Sequence, residues 1–364
     1  VLTGVGAHIE MRSKFDHELL GLAIFWDYRQ MVWPKEAFVR GVLLESFGAA
    51  DQLRFAETAD PVDRAGWVTV ELKASALNWH DVLVRQGRYN SPLPHVLGAD
   101  GAGVRTDTGE PVVVLPSVHW GDRDTAPGED WEILGDRVRG TYAELVSVPV
   151  ECLAPKPETY SWAEAAALPL VGVTTYRALV SRGRLTAGES ILIVGAGGGV
   201  STMAVALAGG IGATVHVTGS SKSKLERAIE IGAGGGVLHT DDDWPEKARA
   251  LSPGGAGFDV ILDPVGLWGS SIRALRKGGR LVVLGANVAE HADIDIRHFY
   301  FGQFDLLGTT MGSPRDFAGL LDLVEAGAVR PPLIGERFEL KDAVAAHRYL
   351  ESGEGFGKVV LEHV

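Results

Sequence analysis

Thiol chemistry is almost absent from this 364-residue chain, which carries one cysteine, Cys152. A single cysteine closes no intramolecular disulfide and builds no four-thiolate zinc site, so the composition fits a reducing compartment. Long apolar runs are missing too, and no stretch of about 18 uncharged apolar residues offers a membrane-spanning helix. Positive charge is in deficit: 34 Lys and Arg face 47 Asp and Glu, for a formal charge of -13. That balance opposes binding to nucleic acid or to an anionic membrane. The opening stretch does not read as a secretory signal, because Glu10, Asp16 and Glu18 interrupt it before a long apolar core is built. These absences predict a cytoplasmic protein with a small-molecule partner.

Apolar residues make up 46% of the chain and charged residues 22%, the balance of a folded globular protein. The length suits about two domains. Residues 1–40 read as an extension without an assigned role. Its apolar cluster Leu19, Leu20, Leu22, Ile24, Phe25 and Trp26 is costly to leave in water and calls for packing on the body or on a partner subunit. From 42 to 150, short β-type runs at 68–72, 112–115 and 143–148 are separated by Gly, Pro and Asp clusters, which predicts a mostly β domain. Ser161 and Glu164 have capping-box spacing and start a helix. Beyond them, apolar strands at 191–194, 214–217, 260–262, 281–284 and 305–307 alternate with helical spacing, as in βα units of a parallel sheet. Ser313-Pro314 opens an amphipathic helix carrying Phe317, Leu320, Leu321 and Val324. A further helix follows at 340–350, and 358–361 closes as a strand. The predicted fold is α/β: a Rossmann-type doubly wound parallel sheet beside a second, mostly β domain.

The strongest chemical signal is the run 191–201, Ile-Leu-Ile-Val-Gly-Ala-Gly-Gly-Gly-Val-Ser, a buried strand entering a helix through glycines. A dinucleotide's pyrophosphate needs this construction, because bare backbone approaches closely while amides at the helix start point at the anion. Gly195, Gly197, Gly198, Gly199 and Val200 are therefore candidate cofactor contacts. The alternative is a tight turn with no ligand, but strand, turn, helix and second strand occur in order and at the right distance. In NAD-binding units a carboxylate about 20 residues further on takes the adenosine 2'-hydroxyl. Here that place holds Thr218-Gly-Ser-Ser-Lys-Ser-Lys224, and no acid appears before Glu226. Ser220, Ser221 and Lys224, with Lys222, instead suit a 2'-phosphate through charge-assisted hydrogen bonds, which predicts NADPH. The competing reading is that some of these residues only open the next helix. Gly285 and Asn287 lie past the carboxyl end of a predicted strand, where ligands bind in open α/β sheets.

At this point the chain resembles the medium-chain dehydrogenase/reductase superfamily, in its quinone-oxidoreductase-like, zinc-independent branch. The resemblance spans about 41–364. It rests on Ala76-Leu-Asn-Trp-His-Asp81, Gly87-Arg-Tyr89, Leu97-Gly-Ala-Asp-Gly-Ala-Gly103, Gly140-Thr-Tyr-Ala-Glu144, Ala165-Ala-Ala-Leu-Pro169 with Thr174-Thr-Tyr176, the glycine turn, Gly278-Gly-Arg280 and Phe356-Gly-Lys-Val359. The resemblance implies a GroES-like catalytic domain from both chain ends, 41–160 and 305–364, around a Rossmann NADPH-binding domain at 161–304. It also implies a homodimer. Where zinc-using relatives place their first cysteine ligand this chain has Asn78; their Gly-His-Glu motif corresponds to Gly98-Ala99-Asp100; their third ligand falls at Val171 or Gly172. No cysteine occurs in 107–140, so a structural-zinc loop is missing as well, and no metal site is expected.

The same resemblance implies Asn78 near the nicotinamide and the substrate oxygen, and Thr174 near the nicotinamide end of the cofactor. Asp81 fixes the loop. Tyr89 either holds or protonates a developing oxyanion, or simply packs. A tyrosine found in one related pattern two residues after the Asp is replaced here by Leu83. His80, His95 and His119 are scattered, and His216 and Cys152 read as packing residues. Without a Lewis acid the hydride must go to an already electron-poor carbon. The expected activity is NADPH-dependent reduction of a quinone or enone; the alternatives are a zinc-free carbonyl reductase or alcohol dehydrogenase, and a non-catalytic NADPH-binding protein.

Overall fold

Alternating burial on short runs makes the first half of the chain into sheet, in a computed structural model that describes residues 38–62 and 64–364. The strands are β1 (Phe38–Leu44), β2 (Leu53–Ala59), β3 (Trp67–Ala76), β4 (His95–Val96), β5 (Asp100–Arg105), β6 (Pro111–Val114), β7 (Ser117–Val118), β8 (Glu132–Ile133), β9 (Leu145–Pro149) and β10 (Leu153–Pro155). One helix, α1 (Trp79–Arg85), interrupts them. Strand β3 is the hub, pairing antiparallel with β5 and β9. It also pairs antiparallel with the last strand, β18 (Lys358–Glu362), which in turn lies parallel to β17 (Ile334–Glu339). The catalytic lobe is thus made from both ends of the described chain. Of the extension expected at 1–40, residues 38–40 already belong to β1, and the apolar cluster at 19–26 lies outside the described residues.

The second lobe is a six-stranded parallel sheet in the order β13-β12-β11-β14-β15-β16. Its strands are β11 (Ser190–Ile193), β12 (Thr214–Gly219), β13 (Gly236–Leu238), β14 (Phe258–Asp263), β15 (Leu275–Val283) and β16 (Asp305–Gly308). All four residues of β11 are buried, as befits a central strand covered by helices on both faces. The helices in this half are α2 (Trp162–Ala167), α3 (Pro169–Tyr176), α4 (Gly199–Ile211), α5 (Lys222–Glu230), α6 (Trp244–Leu251), α7 (Trp268–Ser271), α8 (Ile296–Gly302) and α9 (Pro314–Glu325), and α10 (Ala343–Ser352) follows. Both expected caps form: the Ser161 side chain accepts from the Glu164 amide, and the Ser313 side chain accepts from the Asp316 amide. Among the described residues no helix is long and apolar enough to cross a membrane.

A domain boundary at 304/305 does not match the sheet. Strand β16 pairs with β15 from Arg280↔Asp305 to Val283↔Gly308, so the parallel sheet extends past 304 to its sixth strand. The packing continues further, because Phe317 and Leu320 of α9 join the core shared with α3 and α4. Cys152 and His216 are buried packing residues. Burial pushes the Cys152 thiol up to about 12, far from a reactive thiolate.

One buried ion pair ties loops of the catalytic lobe to these helices. Arg177 and Asp316, 4% and 6% exposed, meet at 2.9 Å. The same guanidinium donates to Thr125 O and lies 4.8 Å over the Trp120 ring. Removing one partner strands the other charge in the interior. Arg177→Met is expected to cost about 3–5 kcal/mol, read as a lowered urea midpoint; an unchanged midpoint would show that the pair is dispensable.

Candidate active site

Strand β11 runs into the glycine turn, and side chains there would obstruct it. Gly195 has φ +84°, and a Cβ on it would stand 2.5 Å from Val265 Cγ2. At Gly199, the first residue of α4, a Cβ would come within 2.8 Å of Lys358 Cδ. The turn is braced from beneath by the Gly195 amide, which donates to Thr218 Oγ1 at 3.0 Å. It is strapped from the other lobe by the Gly357 amide, which donates to Gly197 O at 2.8 Å. The first amides of α4 have no intrahelical acceptor, and a pyrophosphate at a helix start satisfies such groups. The turn therefore fits a dinucleotide.

Above it lies a cleft of about 480 Å³ between the lobes, at the carboxyl ends of β11, β14 and β15. Asn78 and Tyr89 line it from the catalytic lobe. Thr174, Gly195, Gly197, Gly198, Gly199, Val200, Lys224, Gly285 and Asn287 line it from the other. Asp81, Ser220 and Ser221 do not. Ser220 is exposed, while the Ser221 hydroxyl caps α5 by accepting from the Lys224 amide at 3.3 Å. Lys224 reaches across the lobes to Gly353 O at 2.6 Å. Sequence reasoning missed Arg227, whose guanidinium lies 4.4 Å over the Phe356 ring one turn further along α5.

It also missed the centre of the arrangement. Lys358 is 3% exposed, and its Nζ donates to Leu77 O at 2.8 Å, Asn78 Oδ1 at 2.6 Å and Asp100 Oδ2 at 2.9 Å. All three ammonium protons are engaged. Asp100 accepts further from Asn78 Nδ2 at 3.0 Å and, through Oδ1, from the Leu170 amide of α3 at 2.7 Å. The Lys358 contact fixes which way the Asn78 amide faces. The only available signal was a lysine inside an apolar closing strand, a residue type seldom buried without a partner.

Asp81 sits under the cleft, 1% exposed. It accepts from the Asn78 amide at 2.8 Å, the Ala99 amide at 3.2 Å and Tyr142 Oη at 3.1 Å. Burial pushes its carboxyl up to about 7; the Asn78 amide pulls it down and the neighbouring Asp100 pushes it up again, while Lys358 and Tyr142 pull it down. Tyr89 is 38% exposed, with its ring edge-on to His80 at 4.7 Å.

Two families match the chain: an alcohol dehydrogenase GroES-like domain over residues 64–158 and a zinc-binding dehydrogenase domain over 199–326. The 2-methylene-furan-3-one reductase of Solanum lycopersicum is 32% identical over 87% of this chain and 77% of its own length. The chain belongs to the medium-chain dehydrogenase/reductase superfamily. Among other members, the quinone oxidoreductase of Mus musculus is 28% identical over 90% of this chain and 98% of its own length. A solved structure described as an NAD-dependent alcohol dehydrogenase superposes with TM-score 0.83 at 36% identity, over 89% of this chain and all of that one. The highly-reducing polyketide synthase 1 of Aureobasidium melanogenum is 28% identical over 95% of this chain, which spans 16% of that protein's length.

One of these family descriptions names zinc. Where the resemblance sets the first zinc ligand stands Asn78, whose side chain the Lys358 ammonium already bonds, while the second position holds Ala99 and the third Val171 or Gly172. A second cation there would meet like charge at hydrogen-bonding range.

A carboxyl whose folded pKa is raised stabilises the fold fully below its ordinary value, and that contribution is lost as pH rises through the folded value. For Asp81 the window runs from about 4 to about 7. Relative to Asp81→Asn, the native chain is expected to lose stability across that window and to change little above it. Paired denaturant titrations over pH would test this, and a stability difference independent of pH would mean the carboxyl stays ionised throughout.

Proposed function

We propose that this superfamily member binds NADPH and reduces a quinone or an α,β-unsaturated carbonyl without zinc. The observation carrying this reading is the saturated Lys358 ammonium beside Asn78, in the same cleft as the open glycine turn. Reduced nicotinamide, once bound, supplies a hydride. Gly195, Gly197, Gly198, Gly199 and Val200 hold the pyrophosphate, and Thr174, Gly285 and Asn287 flank the nicotinamide end. Lys224, with Ser220, Ser221 and Arg227, meets the adenosine 2'-phosphate. Asn78 gives the acceptor a polar wall of fixed orientation, Asp81 positions that residue through its backbone amide, and Tyr89 offers a phenol at the cleft's edge. With no Lewis acid in this arrangement, the accepting carbon must already be electron-poor, as in quinones and enones. The printed names of the tomato and mouse relatives support that choice. The structural neighbour's name, an NAD-dependent alcohol dehydrogenase, favours the alcohol dehydrogenase part of a second reading, a zinc-free carbonyl reductase or alcohol dehydrogenase.

Absorbance of NADPH followed against a panel of quinones, enones and aldehydes, with and without a chelator, tests the proposal. Turnover of quinones or enones, indifferent to the chelator, is the expected result. Turnover of aldehydes alone would favour the second reading, and tight NADPH binding without oxidation of any kind would make the protein a binder. For the cofactor, Lys224→Ala should weaken NADPH by roughly tenfold or more, the worth of a charge-assisted hydrogen bond. NADH affinity should hold; equal loss for both dinucleotides in calorimetry would remove the 2'-phosphate assignment.

A further inference from the structure

The polar groups nearest the acceptor are already engaged with one another. Lys358 has given all three protons to Leu77, Asn78 and Asp100, and the Asn78 side-chain amide donates to Asp100 and to Ala76 O and accepts from Lys358. Neither can hold a substrate oxygen without breaking that cluster. His80 differs. It is the second residue of α1 and lines the cleft beside Asn78 and Tyr89. Its Nε2 is sealed from solvent and has no hydrogen-bond partner among the described residues. Buried polar atoms are nearly always satisfied in folded proteins, so an imidazole that borders the cleft with an unused ring nitrogen has hydrogen-bonding capacity to offer a ligand. The other orphaned polar atom of the cleft lining, Thr309 Oγ1, follows β16 on the nucleotide lobe, the side where a dinucleotide lies.

We propose, building on the function argued above, that His80 donates its ring N–H to the carbonyl oxygen of the acceptor. The edge-on Tyr89 ring, 4.7 Å away at 61°, holds the imidazole in one orientation. Burial drops the imidazole to about 4, with no charged neighbour contributing, so across neutral pH it carries one N–H and one bare nitrogen. A neutral imidazole in this position polarises a carbonyl without surrendering its proton. Negative charge arriving on the oxygen as the β-carbon is reduced meets that donor, and the α-carbon takes its proton from water. Quinones, being more electron-poor, depend less on such help.

The test compares wild type with His80→Ala, His80→Asn and His80→Gln, using methyl vinyl ketone and benzoquinone as acceptors and calorimetry for NADPH affinity. His80→Ala is expected to lower kcat/KM for the enone by roughly a hundredfold, the effect of losing one oxyanion donor. The quinone should lose much less, and NADPH affinity should stay the same. One of the amide variants, which keep a donor, should recover part of the enone rate. Equal loss for both acceptors with NADPH affinity retained, or no loss for the enone, would overturn the role of His80. If His80→Ala does not fold, the amide variants decide: an enone kcat/KM lowered from wild type by a larger factor than the quinone's would support the role, and equal factors, or no loss for the enone, would overturn it. Wild-type protein that binds NADPH but reduces neither acceptor would instead sink the parent reading.

Discussion

The contacts around Lys358 Nζ hold the closing strand, the start of α1, β5 and α3 in register. The ammonium comes from the closing strand, its acceptors from the start of α1 and from β5, and Asp100 passes the connection on to the first turn of α3. Taking a lysine and an aspartate out of water is costly, and only complete hydrogen bonding offsets it. Here every proton of the ammonium has an acceptor, and both oxygens of Asp100 are occupied. The cluster can therefore sit dry at the junction, where a loose charge would draw water in.

From this junction the rest of the site follows. Parallel strands β11 and β14 send their chains to opposite sides of the sheet, opening a crevice at their carboxyl ends. The GroES-like lobe closes over that crevice and brings Asn78, His80 and Tyr89 to face the glycine turn. Asp263, fully buried, holds the β14 end of the crevice by accepting from the amides of Val265, Gly266 and Leu267 and from Ser271 Oγ. The wall of the cleft is thus backed by buried carboxylates that gather backbone amides, Asp81 and Asp100 in one lobe and Asp263 in the other.

What could be read in advance was what is local. The glycine turn, the strands flanking it and the caps at Ser161 and Ser313 announce themselves within a few residues, because turn chemistry and capping act over that range. Lys358 stands in a short local motif that carries no sign of its role, since its partners Asn78 and Asp100 lie 280 and 258 residues away in sequence. Arg227 likewise acquires meaning only when Phe356 folds against it. The lobe boundary went astray for a related reason: β16 looks like any short apolar strand, and only its register with β15 assigns it to the parallel sheet. The Ser221 hydroxyl caps α5, and a hydroxyl at a helix start leaves the same trace in a sequence whether or not it also meets a phosphate.

Two straps join the lobes: the Gly357 amide reaches the glycine turn at Gly197 O, and the Lys224 side chain of α5 reaches Gly353 O. Gly199 adds a steric condition, since its missing side chain leaves room for the Lys358 stem. The two lobes are consequently not interchangeable parts. A chimera that took its nucleotide half from a cousin would need a small residue at the head of α4 and a cation early in α5 to reach the Gly353 carbonyl. Recombination within this superfamily is thus constrained by a handful of backbone contacts as well as by the surfaces that pack.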